Sequence, residues 1–170
     1  FDVVWRGGAL RTAARMGMPG RWLRWLNSWL SDRRAKVRWG EALSKERIFK
    51  EGTPQGSPLS PLWFSIASAP LATAVREAAP DVVTSIFADD ITLKAQSSIL
   101  VQAARSLQAG LDALYQAASA LFFSIAPEKS QALLATIDPH ENILNAPQLS
   151  LNGQIIPYTS FEPSHNVKTP

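Results

Sequence analysis

The stretch Val82 to Ala95 reads VVTSIFADDITLKA, and the fold is read outward from it. Two apolar runs rich in β-branched residues, Val82 to Phe87 and Ile91 to Leu93, flank Ala88-Asp89-Asp90. This pattern predicts strand, tight turn, strand: a β-hairpin with two adjacent carboxylates at its tip. Neighbouring residues on a strand point to opposite faces, so one acid is expected to face inward and the other away or along the turn. A buried carboxylate is costly unless a cation neutralises it, and a hard divalent ion such as Mg²⁺ prefers oxygen ligands. By itself the pattern also fits a solvated Asp-Asp turn, because Asp is a common turn residue.

Upstream lies Glu51 to Pro61, EGTPQGSPLSP, dense in Gly and Pro. Its glycines allow close backbone approach to a ligand, and its prolines stiffen the loop around Gln55. No charged residue occurs from Gly52 to Val75. That length could span a bilayer, but Pro54, Pro58, Pro61 and Pro70 interrupt it, so a buried loop and helix is expected, with no membrane partner. Leu62 to Ala79 reads as the helix, which Pro70 should kink or break.

Nearer the N-terminus, Phe1 to Trp5 reads as the end of a strand leading into a helix that runs toward Gly17. Pro19 can open the next helix, where Trp22, Trp25, Leu26 and Trp29 recur at helical spacing. Their stripe is expected to face the core, although aromatics among arginines can also stack on bases. Arg34 to Trp39 alternates, with Ala35, Val37 and Trp39 on one side and Arg34, Lys36 and Arg38 on the other. That predicts a half-buried strand with a basic outer face, and Glu46 to Lys50 is its returning partner.

Downstream, Ser97 to Ala120 carries Leu100, Ala103, Ala104, Leu107, Leu111 and Leu114 at helical spacing. Short strands are expected at 122–125 and 131–136, with a turn at 126–130. Asn152-Gly153 predicts a hairpin within Leu149 to Tyr158. The polar tail 159–170 is expected to be disordered. The fold class is therefore α+β, with helices on one face of a mostly antiparallel sheet.

Composition narrows the function. The 170 residues contain no cysteine, which excludes disulfides and cysteine-based zinc sites. His140 and His165 are given no metal role. Net charge is +3, but residues 1–52 hold 12 Lys/Arg against 5 Asp/Glu, whereas 53–170 hold 5 against 9. A basic block of this kind suggests contact with a polyanion. No signal peptide is visible, and the chain reads as a fragment.

Three motifs then line up in order. Gly52 to Pro61 resembles motif B of reverse transcriptases, Phe87-Ala-Asp-Asp90 resembles motif C, and Ala126 to Leu133 resembles motif D with Lys129 at its lysine. Phe1 to Trp5 is similar to the end of motif A. The wording is most similar to the non-LTR, LINE-like retrotransposons. The resemblance implies a palm-like antiparallel sheet with incomplete fingers and no thumb, formed by residues 1–158, with 159–170 a divergent tail. It implies an RNA-directed DNA polymerase, with RNA template, DNA primer and dNTP as partners and two Mg²⁺ (or Mn²⁺) ions as cofactors. Asp89 and Asp90 become metal-binding catalytic residues, and Lys129 a general acid toward the leaving group. Phe1, Gln55 and Gly56 become nucleotide contacts, and Arg33, Arg34, Lys36 and Arg38 nucleic-acid contacts. The family's motif A aspartate precedes the position of Phe1, so isolated activity is expected to be lost. A retroelement polymerase is expected inside the cell, in nucleus or cytoplasm. The alternative is a non-catalytic RNA-binding remnant; an RNA-dependent RNA polymerase fits the motifs less well.

Overall fold

Residues 4–136 and 143–159 are described by the structure, a computed structural model. Phe1 and its predicted strand partners at 2–3 lie outside the described residues, as do His140, His165 and positions 160–170.

Helix α1 (Arg6–Arg15) ends where the sequence places Gly17. Gly17 takes φ +87. Its N–H donates to the Ala14 carbonyl at 3.0 Å, and Met18 N–H donates to the Ala13 carbonyl at 3.0 Å. This paired closure satisfies two of the carbonyls that a helix end leaves orphaned. Helix α2 (Gly20–Leu30) follows, with Pro19 as its N-cap. Its buried residues are Leu26 and Leu30, with Leu23 and Trp29 packed beside them. Trp22 and Trp25 remain 50% and 47% exposed, so the expected core-facing tryptophan stripe is only partly right. At 100° per residue, Leu26 and Leu30 share one direction with Leu23, while Trp22 and Trp25 lie progressively off it.

A long ribbon comes next. Strand β1 (Arg33–Ala35) pairs antiparallel with β4 (Arg47–Phe49), and inside them β2 (Arg38–Trp39) pairs with β3 (Ala42–Leu43). Between the two ladders one strand has residues 36–37 and the other 44–46, an extra residue that interrupts regular pairing. Ser44 bridges the gap: its N–H donates to the Val37 carbonyl and its Oγ accepts from Val37 N–H. The expectation of a half-buried strand fails here. Val37 is 71% and Trp39 86% exposed, because no described element covers either face of the ribbon.

Helix α3 (Leu59–Ala78) runs through Pro70 without breaking. Strands β5 (Val83–Phe87) and β6 (Asp90–Lys94) form the expected hairpin. Helix α4 (Leu100–Ala120) follows. The predicted strand at 122–125 does not form: Phe122 takes φ +60 just after α4, while Phe123 packs edge-on to Phe64. A 3-10 turn covers Pro127–Lys129, and β7 (Ala132–Leu133) is short. Strands β8 (Leu149–Leu151) and β9 (Gln154–Ile156) join at Asn152 (φ +53) and Gly153 (φ +75). Positive φ at both central residues is what a twisted two-residue hairpin turn requires. Strand β10 (Tyr158–Thr159) pairs parallel with β7, which draws Thr159 out of the expected tail.

The architecture is thus mixed α and β, and among the described residues the strands form two-stranded sheets and not one continuous sheet. Two compact units divide the chain. The first takes 1–73, 86–90 and 117–124, around a core of Val4, Ala9, Ala13, Leu26, Leu30, Trp63 and Ala67. The second takes 74–85, 91–116 and 125–170, with a core of Ala104, Leu149, Leu151 and Ile156. In that unit Gly110 lets α4 close on its neighbours, since a Cβ there would lie 3.3 Å from Val75 Cγ1.

Candidate active site in the first unit

The carboxylate hairpin turns through Ala88 and Asp89, and Asp90 begins β6. Ala88 takes φ +50. An L-residue in that region carries a cost of about 1–2 kcal/mol, and strained backbone clusters at functional turns. Burial alternates along both strands, with Thr84, Ile86, Ile91 and Leu93 half-buried. Val83, Phe87 and Asp90 lie on the open side, with Phe87 82% exposed. Both Asp89 and Asp90 are exposed, so the expectation that one acid faces inward is corrected. The hairpin is two-stranded, Asp89 sits on the turn, and nothing described lies over the face that carries Asp90. Neither carboxylate joins an ion pair among the described residues. Also among the described residues, no three carboxylate, imidazole or thiol side chains gather as a metal-holding group.

The Gly/Pro loop belongs to the same unit as the hairpin tip. Pro54, Gln55, Gly56 and Ser57 form a turn closed by Ser57 N–H donating to the Pro54 carbonyl at 3.2 Å. Gly56 is its third residue, with φ +81, a conformation that favours glycine there. Gln55 occupies the exposed corner. Ser60 Oγ donates to the same Pro54 carbonyl at 2.5 Å, tying the turn to the start of α3. Thr53 Oγ1 is buried with no hydrogen-bond partner among the described residues, at the root of this loop.

Arg6 fastens the loop to the start of α1. Its Nε donates to the Gly52 carbonyl at 3.0 Å and its Nη2 to the Glu51 carbonyl at 2.7 Å. Gly52 N–H in turn donates to the Val4 carbonyl at 3.0 Å. Burial, and then the charge of Arg33, lower the Arg6 pKa, while Glu51 opposes them. The segment after the motif A resemblance and the segment opening the motif B resemblance are therefore bolted together. Sequence reasoning missed this residue. One weak signal was available: a cation in the first turn of a helix sits at the wrong end of the dipole, so something else must hold it.

The remaining predicted residues are placed as follows. Lys129 is exposed at the end of the 3-10 turn and belongs to the second unit. Arg33 is half-buried, while Arg34, Lys36 and Arg38 are exposed on the ribbon. Arg34 is engaged: its Nε meets Asp32 Oδ1 at 2.8 Å and its Nη1 meets Glu46 Oε1 at 3.0 Å. These hydrogen bonds raise its pKa. Phe1 lies outside the described residues.

Comparison with known proteins bears on the family. Residues 1–167 match the family model described as reverse transcriptase (RNA-dependent DNA polymerase). The chain is 34% identical over 133 residues to the probable RNA-directed DNA polymerase from transposon BS of Drosophila melanogaster, covering 76% of this chain and 15% of that protein. It is 30% identical over 162 residues to the RNA-directed DNA polymerase from mobile element jockey of Drosophila funebris, covering 94% of this chain and 17% of that one. The jockey polymerase of Drosophila melanogaster is 32% identical over 159 residues, 92% of this chain and 17% of that protein. The chain thus spans only about one-sixth of the length of these curated relatives. Their names, and a family match over nearly every residue, establish that the chain belongs to the reverse transcriptase family, alongside the polymerases of non-LTR retrotransposons.

Proposed function

We propose that the chain forms the palm-like part of an RNA-directed DNA polymerase that adds dNTPs to a DNA primer 3′-hydroxyl along an RNA template. One observation carries the reading. The strained turn bearing Asp89 and the loop presenting Gln55 belong to one compact unit, and Arg6 ties that loop to the end of the first segment.

The donor set suits a hard divalent cation: two adjacent carboxylates, exposed and not committed to ion pairs among the described residues. Asp89 is the primary ligand and Asp90 the second carboxylate. Mg²⁺ or Mn²⁺, two ions in the complete enzyme, would supply positive charge at phosphorus and favour the ionised attacking hydroxyl. Gln55 and Gly56 present an amide and open backbone to the nucleotide and template. The ring of Phe1 excludes a 2′-hydroxyl. Lys129 delivers a proton to the departing pyrophosphate as general acid. Arg33, Lys36 and Arg38 contact phosphates, and Arg34 can do so only by leaving Asp32 and Glu46. The setting that goes with this chemistry is intracellular, nucleus or cytoplasm. No helix among the described residues is long and apolar enough to cross a membrane.

Primer extension tests the reading, with this chain and with a version extended upstream through a motif A aspartate. The extended version should incorporate dNTPs only with a divalent ion, and Asp89→Asn should lower incorporation by about a hundred- to a thousandfold, the scale on which losing a principal charge-stabilising group acts. If the extended version never incorporates a nucleotide yet still binds RNA, the exposed basic ribbon supports the second reading, a non-catalytic RNA-binding remnant.

A further inference from the structure

The basic ribbon holds a concave site that the motifs do not mention. A groove of about 740 Å³ lies along β1, β4 and the interruption between the ladders. Four cations line it, Lys36, Lys45, Arg47 and Lys50, against one carboxylate, Glu51. Asp32 and Glu46 are both on Arg34, outside the lining. Glu41, beside the Gly40 turn, is exposed and also outside the lining, and the charge of Glu51 is felt by Arg6. None of the four groove cations makes an ion pair among the described residues, and all four are exposed. Concentrated cations of one sign, unpaired and along a concave surface, repel each other and draw in a polyanion.

A second feature indicates which polyanion. Trp39 is 86% exposed on the last rung of β2, opposite Ala42, beside the turn at Gly40 (φ +58). It lies two residues past Val37, which itself lines the groove, so at most about 7 Å of extended chain separates them. Leaving an indole in water forgoes a large burial gain, and exposed aromatics next to cations are how proteins hold unpaired bases. A duplex hides its base faces inside the stack; a single strand does not.

We propose that this groove binds a single strand of nucleic acid, its phosphates over Lys36, Lys45, Arg47 and Lys50 and one base stacked on Trp39. Arg34 is a staple of the ribbon and not a contact. The assignment deepens the polymerase reading by naming a place for unpaired strand, and it rests on that reading only for the identity of the strand as template.

The test uses the 170-residue chain and three labelled probes: an oligoribonucleotide, the same sequence as single-stranded DNA, and an RNA–DNA hybrid duplex. Binding is followed by anisotropy across a salt titration. Replacing the four groove cations by Gln should flatten the slope of log affinity against log salt for single strands by about 2 to 3 units, at roughly 0.7 per phosphate neutralised. The same charge removal elsewhere, at Arg15, Arg76, Lys94 and Arg105, should leave that slope unchanged. Trp39→Ala should weaken both single strands at least about fivefold with no change of slope, leave the hybrid unaffected, and be largely rescued by Trp39→Phe. Equal slope loss in both quadruple variants, equal weakening of the hybrid by Trp39→Ala, or absence of binding by the parent chain each overturns the proposal. Failed primer extension by the upstream-extended version with an intact groove rejects only the polymerase reading, and a working extension with no groove effect rejects only this one.

Discussion

Replacing Arg6 by Met should loosen the Gly/Pro loop while leaving the rest of the first unit folded. The side chain is half-buried and reaches two backbone carbonyls, Gly52 at 3.0 Å and Glu51 at 2.7 Å. Hydrogen bonds from a charged donor contribute about 1.5–3 kcal/mol when lost from a buried setting. Only the bond to Gly52 is sheltered, so it should account for about 1.5 kcal/mol. The bond to Glu51 is exposed, water can replace it, and about 0.5 kcal/mol is appropriate. Met retains most of the apolar stem, which limits the packing loss. The expected destabilisation is therefore about 2 kcal/mol. With a urea slope of about 2 kcal/mol per molar for a chain of this size, the midpoint should fall by about 1 M. Tryptophan fluorescence can follow the transition, since Trp5 and Trp63 belong to this unit and Trp63 is buried. Arg6→Lys keeps the charge and can reach one carbonyl, so it should recover about half the loss. In primer extension with the upstream-extended version, the proposed polymerase reading expects Arg6→Met to raise KM for dNTP more than it lowers kcat. A midpoint shift under about 0.2 M for Arg6→Met, or equal effects of Met and Lys, would refute the assignment of Arg6 as the loop's fastening.

Other perturbations test other links. Ala88→Gly should relieve most of the left-handed penalty at φ +50, offset by glycine's extra chain entropy, for a net gain of about 0.5–1 kcal/mol in urea denaturation. Leu151→Ala, at a side chain 2% exposed in the second core, should cost about 2–5 kcal/mol by the same measurement. Gly153→Ala should cost about 1 kcal/mol, because φ +75 is strained for any side chain even though the space around it is open. Burial raises the Tyr158 pKa above 10.0, and its hydroxyl donates to the Pro147 carbonyl at 2.8 Å. The folded state holds that proton more tightly than the unfolded one. Its contribution is complete below the unfolded value of about 10 and lost as pH rises through the higher folded value. Tyr158→Phe should remove that alkaline fall in the thermal midpoint while lowering the midpoint slightly at neutral pH.

Periodicity and turn chemistry carried the local structure. Gly17 needed a positive φ to end α1, Asn152-Gly153 needed two, and alternation around Ala88-Asp89 produced the β5–β6 hairpin. These are decided by sterics within a few residues, so a single chain suffices to read them. The order of the Gly/Pro loop, the Asp pair and the Lys129 turn likewise disclosed the family without any coordinates. What the sequence left undecided was which face of each element is covered. Trp22 and Trp25 have the spacing of a core stripe, yet the α1–α2 contact selects Leu26 and Leu30. Val37 and Trp39 alternate like a buried face, yet their ribbon has no layer over it. Asp89 and Asp90 alternate as any strand pair must, but burial depends on a neighbour that alternation does not specify. Arg6 reaching Gly52 across 46 positions, and Arg34 being held by Glu46, are choices of long-range geometry. Local propensity is encoded residue by residue, whereas coverage and pairing arise only when distant segments compete for the same surface.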